Sequence, residues 1–116
     1  MSDPTSILGP YGKIRPVDIP SLETAIGIFN KHGLCAGIHG TSLWNPRYKD
    51  IDLIVVHGDN EHCVPEFLSA IEEIKTQLDC EVVNQNGNAS IGYDLEIRVN
   101  EESKTLVLHV SYVVLL

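Results

Sequence analysis

Gly40-Thr-Ser-Leu-Trp-Asn-Pro-Arg-Tyr-Lys-Asp-Ile-Asp-Leu-Ile-Val-Val56 joins a small-residue turn to an apolar run that opens with two carboxylates. The run Ile51 and Leu53 to Val56 reads as a strand. Aspartate is depleted in strands, so Asp50 and Asp52 at its head point to a role other than folding. Residues two apart on a strand share a face and lie roughly 6.5 to 7 Å apart. Their oxygens can therefore converge on a hard divalent cation, or on two ions about 3.5 to 4 Å apart of the kind that clamp a phosphoryl group. Magnesium suits such a pair because it keeps coordination positions for substrate phosphates.

Upstream, Leu34-Cys-Ala-Gly-Ile38 is a short apolar strand that delivers His39, Gly40, Thr41 and Ser42 at its end. Glycine at a strand end lets backbone N–H groups approach phosphate oxygens, and the hydroxyls of Thr41 and Ser42 add donors. Before that strand, Ser21 to Lys31 forms a helix with Leu22, Ala25, Ile26 and Phe29 on one face and Gly33 as its stop. Residues 1–20, with four of the six prolines, read as an irregular arm, leaving 21–116 as a single domain.

Downstream, the Asp50 to His57 strand is apolar at nearly every position past its acids, as expected of a strand covered on both faces or central in a sheet. A second helix runs from about Cys63 to Leu78, with Val64, Phe67, Leu68, Ile71, Ile74 and Leu78 as its core stripe. Cys80 to Val83 is then a short strand, and Asn84-Gln-Asn-Gly-Asn88 a turn. Ile91 to Val99 alternates, placing Asp94, Glu96 and Arg98 on its polar face. A final strand runs from Thr105 to about Val114, and its apolar end, Val110 to Leu116, leaves a sheet edge that needs cover. The expected fold is α/β (α+β): a mixed sheet of about five strands with two main helices on one face.

The chain has 116 residues, with 16 acids against 8 bases and a net charge of −8. That balance argues against broad nucleic-acid or anionic-membrane binding through a basic face. Cys35, Cys63 and Cys80 have no CxxC spacing and are odd in number, which indicates neither a disulfide framework nor a thiolate zinc site. A reducing cytoplasm is the expected compartment. The N-terminus lacks the pattern of a signal peptide, and no apolar run is long enough to span a bilayer.

Taken together, Ile38-His39-Gly40-Thr41-Ser42, Asp50-Ile51-Asp52-Leu53 and either Tyr93-Asp94-Leu95 or Leu95-Glu96-Ile97 resemble the nucleotidyltransferase superfamily related to DNA polymerase beta, in its minimal single-domain form. The resemblance implies that Asp50 and Asp52 hold magnesium ions and that Asp94 or Glu96, on a neighbouring strand, is the third ligand and base. It implies that Gly40, Thr41 and Ser42 contact the triphosphate, with Arg47 and Lys49 as nearby positive charge. The activity implied is transfer of an NMP group from an NTP to a hydroxyl acceptor. The alternative is a weak or inactive member of the fold that acts as a binding module, since minimal members work with a helical partner as toxin and antitoxin; a homodimer or such a partner would cover the sheet edge. Trp44 and Tyr48 are candidates for stacking on a base. His39 adjoins the turn and could donate to a phosphate, whereas His57 and His109 read as packing or surface residues.

Overall fold

The computed structural model describes residues 13–40, 42, 44–57, 64–88, 91–102 and 104–113. A 3-10 turn, Pro16–Asp18, leads into helix α1 (Ile19–Lys31), strand β1 (Leu34–His39), strand β2 (Asp50–His57), helix α2 (Val64–Gln77) and strands β3 (Cys80–Asn88), β4 (Gly92–Asn100) and β5 (Thr105–Val113). The α+β class, five strands and two helices are as expected. The first helix begins two residues before Ser21, because Pro20 falls in its first turn, where a missing N–H costs nothing. Residues 13–20 also belong to the fold, since Ile14 and Asp18 are buried.

The sheet order is β1-β2-β5-β4-β3. Within it β2 and β5 run parallel, and the other neighbouring pairs are antiparallel. Two expectations change. The last strand lies between β2 and β4 instead of at an edge, so the edges are β1 and β3. Asn84 to Asn88 is strand, not turn, with the register shifting between Val83 and Asn86. Gly87 makes this pairing possible: a Cβ there would sit 2.1 Å from the Gly92 carbonyl oxygen.

One face of the sheet carries Leu53 and Val55 of β2, Leu95 and Ile97 of β4, and Leu108 and Val110 of β5, all fully or almost fully buried. The helices supply Leu22, Ala25, Phe29, Phe67, Ala70 and Ile74 to the same core. An aromatic stack links the layers: the Phe67 ring lies 4.4 Å from Tyr112 and 6.0 Å from each of Phe29 and Tyr93. At the far end of the helices, Glu73 accepts hydrogen bonds from Lys31 and, at 2.9 Å, from His32, tying α2 to the end of α1.

The opposite face is open among the described residues. Ile54 is 38% exposed and Val56 half-buried, so β2 is not covered on both faces. Register sets the open face out in rows. His39, Asp52, His109, Glu96 and Val83 form one row across all five strands, and Gly37, Ile54, Ser111, Asp94 and Asn86 form the next.

Candidate functional site

The two acids of β2 occupy the open face, as their spacing requires. Gly40, directly after β1, adopts a φ of +84°, and a Cβ built there would meet Asp52 Oδ2 at 2.7 Å. Only glycine tolerates both the left-handed backbone and this approach. The turn expected to cradle phosphates therefore packs onto the Asp52 carboxylate. Ser42 is buried, and its hydroxyl has no hydrogen-bond partner among the described residues. Thr41 lies outside the described residues. Lys49 is exposed at the end of the linker, immediately before Asp50.

The third acid is not where the sequence implied. The strand beside β2 is β5, which places His109 opposite Asp52 and leaves Asp94 and Glu96 one strand further away. His109 Nδ1 lies 3.2 Å from Asp52 Oδ1 and its Nε2 lies 2.8 Å from Asp94 Oδ1, so one imidazole bridges three strands. Asp94 also accepts a 3.1 Å hydrogen bond from Ser111, and Glu96 a 2.9 Å bond from Asn84. The acids Asp52 and Asp94 are thus brought together through His109, while Glu96 turns to β3. His109 was read from the sequence as a packing or surface residue, because a lone histidine in an alternating strand gives no sign of what flanks it.

A protonated ring in this position can donate toward both carboxylates. Partial burial lowers the His109 pKa, but hydrogen bonds and charge from Asp94 and then Asp52 outweigh it, leaving the value above the ordinary one. The sign follows: stabilisation from the bridge is fully present below the unfolded value of about 6.5 and is lost as pH rises through the folded value. His109→Gln is expected to lose up to about 1 kcal/mol near pH 6, since a side chain this exposed is screened by solvent. Urea unfolding across the pH range should show the difference vanishing on the alkaline side.

The magnesium site implied by the resemblance can be tested against this donor set. Magnesium takes oxygen ligands, and two ions need three converging acids. Here the His109 ring, with a nitrogen against each of Asp52 and Asp94, stands at the register position beside Asp52 where a third carboxylate would be needed. Among the described residues, no group of three or more histidines, cysteines or acids is arranged to hold a metal ion. The residues present do not fit the two-ion centre.

The linker between turn and acids is held by a buried polar cluster with no counterpart in the sequence reading. Tyr48 is 5% exposed and does not offer its ring to a base. Its hydroxyl donates to Asp18 Oδ2 and accepts a 2.9 Å bond from the Arg15 backbone N–H, while the Arg15 guanidinium lies 4.1 Å above the ring. Lys104 Nζ approaches Asp18 Oδ1 to 2.8 Å as an ion pair without hydrogen-bond geometry, and Glu101 Oε1 lies 3.7 Å from Lys104 Nζ. Trp44, by contrast, is 67% exposed.

Burial pushes the Glu101 pKa up, and the neighbouring Asp18 carboxylate pushes it further. A raised carboxyl pKa means that stability is fully present below the unfolded value of about 4.5 and is lost as pH rises through the folded one. Glu101→Gln keeps the shape without needing the proton. It is expected to raise stability by about 1 kcal/mol at neutral pH, with the gain closing toward pH 4, as read by thermal unfolding.

No protein-family model matches the chain, and none of the curated proteins matches it. Among the described residues no helix is long and apolar enough to cross a membrane, which says nothing of strands.

Proposed function

We propose that this chain is a nucleotidyltransferase-like module that binds a partner instead of transferring a nucleotide through metal ions. The observation that carries this reading is His109, which joins Asp52 to Asp94 where a metal-dependent transferase would need a third acid. With a ring nitrogen against an oxygen of each acid, the bridge occupies carboxylate oxygens that a divalent ion would need. A reducing cytoplasm belongs to the same proposal, supported by Cys35 and Cys80 being free thiols.

A second reading, a magnesium-dependent transferase acting on an NTP, is favoured by the Gly40 turn against Asp52 and by the buried Ser42 hydroxyl, unpartnered among the described residues. In that case Gly40 to Ser42 and Lys49 would face the triphosphate. The test is to incubate the full chain with magnesium and each NTP while following nucleotide binding and pyrophosphate release. The binding-module reading expects neither, and expects Asp50→Asn to change nothing in either assay. Pyrophosphate release that is lost in Asp50→Asn would overturn it in favour of the transferase.

A further inference from the structure

The open face of the sheet is divided in two. Over β1 and β2 lies a shallow trough of about 340 Å³ lined by Cys35, Gly37, His39, Ile54 and Val56 with the backbone of Ala36 and Ile38. Beyond it stand acids: Asp52 and Asp50 on β2, Asp94 and Glu96 on β4, and Glu81 at the β3 edge. Among the described residues of this acidic part, the basic side chains are Arg98, 3.5 Å from Glu96, and His109 between Asp52 and Asp94, fewer than the five acids.

Gly37 is the telling residue of the trough. Glycine weakens a strand, and it commonly marks a place where another chain approaches closely. Nothing in the packing of the described residues calls for it: its φ is not in the left-handed region, and a Cβ there would find none of their atoms within 4 Å. Ile54, directly opposite in the register, is 38% exposed on a strand whose apolar run is that of a covered one. Both features are accounted for by an occupant beyond the described residues.

We infer that this face docks an amphipathic, lysine- and arginine-rich segment of another protein, its apolar side chains over Gly37 and Ile54 and its cationic ones reaching Asp94 and Glu96. From Gly37 to Asp94 is three strand spacings, about 14 Å, a width that one helix of about 10–12 Å diameter covers when its basic side chains extend beyond it. Charge decides among occupants. A second copy laid face to face would oppose acids to acids, and nucleic acid or an anionic membrane would be repelled in the same way. The inference rests on the binding-module reading, and the two fail separately: pyrophosphate release overturns that reading, and absence of docking overturns this one.

The experiment is an NMR titration of the isotope-labelled full chain at low ionic strength with a synthetic amphipathic helix of leucine and lysine, and with its leucine and glutamate counterpart. The lysine peptide is expected to shift, saturably, the amides of Cys35 to His39, Ile54 and Ser111, and the glutamate peptide to leave them unchanged. Gly37→Phe sets a ring on the open face from a position where a Cβ meets no described atom within 4 Å, so it should keep the fold, as checked by its amide spectrum, and weaken binding about tenfold or more. Asp94→Asn combined with Glu96→Gln should weaken it similarly and flatten its salt dependence. Equal binding of both peptides, shifts confined to the helix layer, insensitivity to Gly37→Phe, or self-association that buries Ile54 would each overturn the proposal.

Discussion

Phe67→Ala is expected to remove about 3–5 kcal/mol of folding stability. Phe67 is fully buried, and its ring stacks on Tyr112 of β5, Tyr93 of β4 and Phe29 of α1. Truncation leaves a void between two helices and a sheet, none of which can close it without breaking its other contacts. Single domains are stable by only about 5–15 kcal/mol, so the variant should unfold at much lower urea with a similar dependence on denaturant concentration. Phe67→Leu retains most of the volume and should cost clearly less, which separates packing from any general intolerance at the site.

Asp18→Ala should cost about 3 kcal/mol or more, although a reading of the sequence places Asp18 in an irregular arm. The carboxylate is fully buried, accepts hydrogen bonds from Tyr48 and Arg15 and pairs with Lys104. Its removal strands the Tyr48 hydroxyl and the Lys104 ammonium in a partly desolvated site. Burial raises the Asp18 pKa, but the Lys104 ammonium, then the Tyr48 hydroxyl and the neighbouring Glu101 carboxyl, outweigh it and set the value below the ordinary one. A depressed carboxyl pKa contributes stability above the unfolded value of about 3.8 and loses it as pH falls through the folded one. The penalty of Asp18→Ala should therefore shrink only in strong acid, the reverse of the Glu101→Gln trend. Unfolding of both variants on one pH series resolves the two carboxyls.

Elements set by local periodicity were legible in the sequence. The 3.6-residue stripe from Val64 to Ile74 and the two-residue alternation from Tyr93 to Val99 identify α2 and β4 within a residue or two. Asp50 and Asp52 share a face because strand geometry allows nothing else. Strand order was not legible. It depends on which distant segments pair, and the run from Thr105 onward reads equally well as an edge or as the centre. The site inherits that ambiguity: with β5 inserted beside β2, the neighbour of Asp52 is His109 and not an acid. The Asp18 cluster was hidden for a related reason, since Tyr48, Glu101 and Lys104 reach Asp18 from separate parts of the chain. The apolar run of β2 reads as a strand covered on both faces or central in a sheet, and only the place inside the sheet is met. The chain's described residues supply that cover on one side only.

The most direct measurement is long-range proton–nitrogen NMR of the His109 ring at neutral pH, with and without excess magnesium. An imidazolium held between Asp52 and Asp94 will show both nitrogens protonated, and added magnesium will leave them so. A neutral ring, or one that magnesium displaces from the carboxylates, would contradict the bridge and return Asp50 and Asp52 to metal binding.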